Sequence, residues 1–94
     1  MSKRFDIGDF VETLTIPSVS EGIVGRMRSR RKSLGIQQKA LATRSGVSYA
    51  SIRRFEQTGE ISLQSLLKIA MALDCLEDFN ELFKAPAITN LKDL

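Results

Sequence analysis

Histidine and tryptophan are absent from this 94-residue chain, and cysteine occurs once, as Cys75. A single cysteine cannot form an internal disulfide, which favours a reducing compartment. No imidazole is present to activate the thiol, and the sequence has no phosphate-binding glycine loop and no paired metal ligands. We therefore expect no enzymatic activity, no metal and no cofactor. The acidic cluster of Glu77, Asp78 and Glu81 is interpreted as the solvated face of a helix.

Long apolar runs are also absent. The sequence has no stretch of eighteen apolar residues, and its N-terminus becomes acidic without an apolar signal core. Together with the single cysteine, this predicts a cytoplasmic protein with no membrane partner. A chain of this length makes one domain with a modest core, to which dimerisation would add buried surface.

Aspartate and glutamate are missing from residues 26–54, which carry nine basic side chains. The flanking segments have the opposite sign, with net charges of −2 for residues 1–25 and −4 for residues 56–94. A polyanion is the natural partner of such a basic segment. The charge pattern by itself leaves two interpretations open, a nucleic-acid interface and a basic helix face that is simply solvated.

Helix patterns and end signals predict an all-α fold. Ser18 and Glu21 have the spacing of a capping box, and Gly35 is expected to end the helix that follows. Ser62 is a good N-cap for a strongly amphipathic helix, and Pro86 closes the last one. Five helices are predicted, at about residues 19–34, 37–45, 49–56, 63–73 and 76–83.

Apolar spacing within these helices indicates the core. In the first helix the stripe consists of Ile23, Met27 and Leu34. In the fourth helix it consists of Leu63, Leu66, Leu67, Ala70 and Leu73. We therefore predict a compact bundle at residues 19–84, between an N-terminal arm at 1–18 and a C-terminal tail at 85–94.

Ala42, Gly46 and Ile52 have the spacing of a helix-turn-helix. A small residue such as Ala42 lets two helices meet at a steep angle, and Gly46 tolerates the positive φ that the turn requires. Ile52 supplies a branched apolar side chain for the inner face of the second helix. Each residue is common alone, but the combination beside nine cations is specific. The sequence therefore predicts this motif at about residues 37–57.

The residues around this motif resemble the Cro/C1-type (XRE) helix-turn-helix family. The resemblance covers about residues 19–84 and rests on LGIQQKALA at 34–42, SGVS at 45–48, IRRFEQTG at 52–59 and SLQSLLKIAMAL at 62–73. It implies a lambda repressor-like bundle of four or five helices that binds double-stranded operator DNA as a homodimer. The function expected on this basis is that of a transcriptional repressor that regulates its own gene.

Side chains on the outer face of the predicted recognition helix are candidates for reading bases. With Ile52 and Phe55 facing the core, a rotation of about 100° per residue turns their neighbours toward a major groove. Arginine can donate two hydrogen bonds to guanine, and an alanine methyl group suits contact with thymine. The candidate base-reading residues are Tyr49, Ala50, Arg53 and Arg54.

Gln38 matches the glutamine that begins the second helix in this family, where it grips a phosphate. A helix N-terminus supports such a contact through its unpaired N–H groups and its dipole. Hydroxyls and amides at other helix ends suit the same positioning role, although they can also simply cap the helices. The further phosphate-binding candidates are Gln37, Ser48, Ser51 and Thr58.

Arg31 and Glu56 match a family pair that joins the first helix to the end of the recognition helix. The resemblance implies a partly buried ion pair with a structural role, so that Arg31 does not face DNA. Asp74 departs from the family, which commonly has glycine after the fourth helix. A change in that turn is therefore expected.

Two alternatives stand beside a free-standing repressor. Residues 55–63 resemble HipB-like antitoxins, which repress their own operon and bind a HipA-type kinase toxin through surfaces outside the recognition helix. The second alternative is a membrane-surface role for the arginine-rich helix at 23–34. It is disfavoured because the apolar stripe of that helix is narrow and lacks aromatic residues.

Overall fold

Helix α1 begins one turn earlier than the sequence pattern predicts. The structure, a computed structural model, describes residues 14–87 and places α1 at Ile16–Ser33. The Thr15 hydroxyl accepts a hydrogen bond from the Ser18 backbone N–H at 3.1 Å, and the Ser18 hydroxyl accepts one from the Thr15 N–H at 2.9 Å. The predicted capping box between Ser18 and Glu21 is therefore wrong. Pro17 is accommodated in the first turn, where a missing N–H breaks no helical hydrogen bond.

The earlier start of α1 places the expected boundary between residues 18 and 19 inside a helix. Most of the expected N-terminal arm, residues 1–13, and most of the expected C-terminal tail, residues 88–94, lie outside the described residues.

Helices account for most of the described chain, as an all-α fold requires, and residues 14–87 contain no strand. After α1 come α2 (Gln38–Ser45), α3 (Tyr49–Thr58) and α4 (Leu63–Ala72). The fifth element is a 3-10 helix at Leu76–Glu81, where the pattern predicted a longer helix reaching residue 83. It ends early because the backbone becomes extended at Leu82.

The core lies where α2 packs against α3 and α4, with α1 against α3. Its fully buried members are Leu41 from α2, Ile52 from α3, Ile69 from α4, and Leu73. Met27 is buried and Ile23 partly buried, as predicted. The remaining buried apolar residues of the cluster are Val24, Ile36, Val47 and Phe55.

Two residues assigned to the core are exposed instead. Leu34 is 51% exposed because it is the C-cap of α1 and lies beyond the helical stripe. Leu63 is 65% exposed at the first position of α4, while Ile69 takes the central buried position of that helix. The apolar surface of α4 is wider than its buried face, so spacing alone did not identify which part is covered.

The turn after α4 is held by an arginine from α1. Asp74, which stands where the family commonly has glycine, adopts a left-handed backbone with φ of 61°. Arg30 donates from Nε to the Leu73 carbonyl at 2.6 Å and from Nη2 to the Asp74 carbonyl at 2.9 Å. A cation placed at the carboxyl end of a helix also suits the helix dipole. This region therefore keeps the left-handed turn without the glycine.

Candidate nucleic-acid interface

The bend between α2 and α3 lies at Gly46, as predicted. Gly46 has a φ of 77° and donates its backbone N–H to the Ala42 carbonyl at 2.9 Å, which closes the last turn of α2. Helix α3 then starts from Ser48, whose hydroxyl accepts the Ser51 N–H at 3.1 Å. Two separate short helices therefore meet at a defined turn.

Helix α3 divides sharply into a buried and an exposed face. Ile52 and Phe55 are inside, with Ile52 fully buried. The side chains on the outer face are those selected from the sequence as base-reading candidates, Tyr49, Ala50, Arg53 and Arg54. The outer face also includes Gln57, which the sequence reasoning did not select. Its spacing of seven residues from Ala50, two helical turns, was the available signal.

The Tyr49 ring is contacted by two cations. The ring centre is 5.5 Å from Lys39 Nζ on α2 and 5.6 Å from the guanidinium carbon of Arg53. Both distances fall within the range of a cation–π contact. Lys39 was not selected from the sequence, and only its place in the basic segment pointed to it. The contact sets the Tyr49 ring at the junction of α2 and α3.

Arg54 is paired at the surface with an acidic residue from the next loop. Its Nη2 donates to Glu60 Oε1, and both side chains are 66% exposed. The Thr58 hydroxyl donates to the Arg54 carbonyl at 2.7 Å and accepts the Glu60 N–H at 3.1 Å. Arg54 and Thr58, two residues selected for DNA contacts, are therefore linked to each other and to Glu60.

The remaining phosphate candidates lie at the starts of α2 and α3. Gln37 is the exposed N-cap of α2 and makes no side-chain capping hydrogen bond. Gln38 begins α2, and its Nε2 donates to Glu56 Oε1 at 2.9 Å. The Ser48 hydroxyl, besides capping α3, donates to the Ser51 hydroxyl at 2.8 Å. Three of these four side chains, those of Gln38, Ser48 and Ser51, therefore already take part in hydrogen bonds within the protein.

The Glu56 carboxylate is contacted by side chains from α1 and α2. Arg31 donates from Nε to Glu56 Oε2 at 2.9 Å and from Nη2 to Oε1 at 3.0 Å, while its Nη1 donates to the Ile36 carbonyl at 3.0 Å. Arg28 Nε lies 3.4 Å from Glu56 Oε1. The side chains of Arg31 and Glu56 are only 8% and 5% exposed. The two residues assigned to an ion pair from the sequence are therefore in direct contact, with Arg28 as an unforeseen third member.

Some cations of the basic segment pair with other groups of the protein, although Arg28 and Arg30 remain exposed. Arg28 and Arg31 face Glu56, and Arg30 caps α4. The cations exposed on or next to the helix-turn-helix are Lys39, Arg44, Arg53 and Arg54. Charge counting along the sequence therefore overestimated the cations available to a polyanion.

Among residues 14–87, no group of three or more histidine, cysteine or acidic side chains is close enough to hold a metal ion. Within the same residues, none of the helices combines the length and the apolarity that crossing a membrane demands.

Comparison with known proteins agrees with this geometry. A helix-turn-helix family model matches residues 27–79, which is more than half of the chain. A Rhodospirillum rubrum protein described as an "uncharacterized transcriptional regulator in ATPase CF(0) region" is 40% identical over 63 residues. The match covers 66% of this chain and 58% of that relative. The chain belongs to the Cro/C1-type helix-turn-helix family, which confirms the resemblance found in the sequence.

Proposed function

We propose that this protein is a sequence-specific DNA-binding transcriptional regulator that inserts α3 into the major groove. The observation that carries the proposal is the division of α3. Ile52 and Phe55 anchor the helix in the core, and a row of exposed side chains follows the helix on the other side. A helix of this size fits the major groove of B-DNA, and its outward side chains can reach base edges. The family and the named relative support this function.

Four residues of α3 are proposed to read bases. Arg53 and Arg54 can each donate two hydrogen bonds to guanine O6 and N7, and Ala50 can contact a thymine methyl group. Tyr49, whose ring contacts Lys39 and Arg53, lies at the start of the helix.

Five residues at helix ends are proposed to bind phosphates and to set the orientation of α3. The N–H groups at the start of α2 suit an anion, and Gln37 and Gln38 flank that start. Ser48 and Ser51 do the same at the start of α3, and Thr58 lies at its end. Contacts of this kind position the protein but carry little base information.

The proposed regulator acts as a homodimer, and an apolar surface behind α3 supports this assembly. A groove of about 510 Å³ lies on the side that Phe55 faces, and a second groove of about 740 Å³ lies beside the 3-10 helix. Leu63 lines both grooves, so the two largely apolar grooves adjoin at the start of α4. A two-fold dimer would place its two α3 helices on half-sites about 10 base pairs apart.

Sedimentation equilibrium tests the dimer. Leu63→Glu places a charge between the grooves at the first position of α4, where an acidic residue suits the helix. We expect dimers for the wild type and monomers for Leu63→Glu. The control is Met71→Glu, an exposed position of α4 that lines neither groove. A monomeric wild type, or a Leu63→Glu variant that dimerises normally, would rule out this interface.

The proposed mode of action is repression, in the cytoplasm, of the gene that encodes the protein. The alternative of a HipB-like antitoxin differs in its partner, because the apolar surface would then hold a HipA-type kinase toxin. Footprinting on the DNA upstream of its own gene tests autoregulation. Co-purification of a kinase-like protein encoded next to it would favour the antitoxin.

A binding selection from random duplex DNA tests the proposal as a whole. We expect enrichment of paired, identical half-sites. Arg53→Ala should relax the preference at one base pair, by about 1–3 kcal/mol of discrimination. Lys84→Ala, which removes an exposed cation beyond the 3-10 helix, is the matched control and should leave the selected sequence unchanged. The absence of any enriched sequence would contradict the proposed function.

A further inference from the structure

Glu60 is an acidic residue that contacts the proposed base-reading surface. It lies six residues after Arg54, in the loop between α3 and α4, and accepts a hydrogen bond from Arg54 Nη2. Both side chains are 66% exposed, so the pair faces solvent. A carboxylate beside a DNA-binding surface opposes phosphate binding, because like charges repel. The position of Glu60 beside this surface therefore indicates a function other than raising the general affinity for DNA.

The backbone of the loop fixes where Glu60 lies. The Thr58 hydroxyl accepts the Glu60 N–H at 3.1 Å while it donates to the Arg54 carbonyl. Gly59 has a φ of 81° and approaches Ser20 of α1 so closely that an added Cβ would collide with the Ser20 hydroxyl. The turn is therefore held from both sides. These contacts fix the backbone of Glu60, and its carboxylate accepts a hydrogen bond from Arg54 Nη2.

We propose that Glu60 is a positioning residue that orients Arg54 for guanine and withholds it from phosphates, which makes it a determinant of operator specificity. This rests on the proposed function of α3. Arginine has five N–H donors, and the contact with Glu60 uses one of them. Four donors remain, which is enough for the two hydrogen bonds to guanine O6 and N7. Arg54 can therefore keep Glu60 while it binds the base.

Two physical effects follow from this arrangement. Orientation in the free protein lowers the entropy that Arg54 loses on binding guanine, which strengthens the specific complex. On unrelated DNA the Glu60 carboxylate offsets the positive charge of Arg54 and repels a nearby phosphate, so Arg54 adds little to non-specific binding. A competing ion pair would act differently. If Arg54 had to leave Glu60 in order to bind guanine, the pair would weaken the specific complex at least as much as the non-specific one.

The experiment compares wild type, Glu60→Gln and Glu81→Gln in a binding selection and in titrations with the selected operator and an unrelated duplex. Glu81→Gln removes the same charge from the exposed Glu81–Lys84 pair and controls for net charge. For Glu60→Gln we expect the preference at the base read by Arg54 to fall by about threefold or more. Binding to unrelated DNA should rise, with a salt dependence steeper by about one unit of log–log slope. Glu81→Gln should leave the base preference at its wild-type value.

A double mutant tests whether Glu60 acts through Arg54. In an Arg54→Ala background, Glu60→Gln should cause no further change in preference at that base pair. An unchanged base preference in Glu60→Gln would overturn the proposal, as would a gain in operator affinity equal to or larger than the gain on unrelated DNA. If the wild type itself selects no sequence, the proposed function fails, and the role of Glu60 fails with it.

Discussion

Arg31 and Glu56 are joined by two hydrogen bonds between side chains that are almost fully buried, and together they tie α1 to α3. Gln38 extends the contact to α2 by donating to the same carboxylate. The three helices that set the angle of the helix-turn-helix therefore meet at one acidic side chain. The orientation of α3 depends on Glu56 as well as on apolar packing.

Removal of the Glu56 carboxylate should lower the free energy of unfolding by more than removal of an exposed ion pair does. Glu56→Ala would leave Arg31 buried without its partner, so we expect the free energy of unfolding to fall by about 3–5 kcal/mol. Glu56→Gln should lose less stability than Glu56→Ala, because the amide oxygen of glutamine still accepts a hydrogen bond. Urea denaturation followed by circular dichroism measures both. Glu81→Ala, which breaks an exposed pair, should cost about 0–1 kcal/mol. A similar loss for Glu56→Ala would contradict the structural role of the pair.

The close approach of Gly59 to Ser20 of α1 predicts that a second substitution, Ser20→Ala, restores part of the stability lost in Gly59→Ala. Gly35→Ala and Gly59→Ala both place a side chain on a left-handed backbone, which costs about 1–2 kcal/mol. Gly59→Ala should cost about 1 kcal/mol more, because its Cβ collides with the Ser20 hydroxyl while nothing lies near a Cβ at Gly35. Adding Ser20→Ala to Gly59→Ala should restore the additional stability of about 1 kcal/mol that the collision removes. Adding Ser20→Ala to Gly35→Ala should restore none. Equal effects of Ser20→Ala in the two backgrounds would show that the collision is absent.

Asp74 offers a comparison of two substitutions that both remove its charge. Its φ of 61° suits glycine and strains alanine. We expect Asp74→Gly to be more stable than Asp74→Ala by about 1 kcal/mol in thermal or urea unfolding. Equal stability of the two variants would show that the turn after α4 is not held in the left-handed conformation in solution.

Cys75 should alkylate slowly. Burial raises the pKa of the Cys75 thiol above its ordinary value, with Arg30 partly opposing the shift. The thiolate is the reactive form, so a raised pKa keeps the thiol protonated and unreactive to higher pH. We expect the iodoacetamide rate of the folded protein to rise at higher pH than that of the protein in urea. Coincident pH profiles would contradict the burial of the thiol.

Replacement of Gln38 should weaken binding to all DNA sequences by a similar factor. Gln38→Ala removes a proposed phosphate contact, so affinity for the operator and for an unrelated duplex should fall by similar factors. Gln64→Ala, an exposed glutamine of α4, serves as the control. Fluorescence anisotropy with labelled duplexes measures both affinities. A loss restricted to the operator would assign Gln38 to base reading instead.

The sequence predicted the helix-turn-helix because its determinants are local. Ala42, Gly46 and Ile52 lie within eleven residues, and each acts through backbone geometry or size. The exposed face of α3 followed from helical rotation once Ile52 and Phe55 were placed inside. The fold class and the family were predictable for the same reason.

Contacts between distant residues could not be predicted in the same way. Arg30 donates to the Leu73 carbonyl at the end of α4, 43 residues later in the chain. No residue near Arg30 in the sequence indicates this partner. The start of α1 was misplaced because two capping signals overlap near Pro17, and only the structure shows which one is formed. The pairing of Arg54 with Glu60 depends on the turn at Gly59, which spacing along a helix does not describe.

The division of α3 has a consequence for how such a protein can be retargeted. Ile52, Phe55 and Glu56 hold the helix in the bundle, whereas five exposed side chains face outward: Tyr49, Ala50, Arg53, Arg54 and Gln57. Under the proposed function, exchange of these five for those of another family member should transfer operator choice without loss of folding. Gene duplicates of this chain could therefore diverge toward new promoters through a handful of codons while the scaffold stays constant.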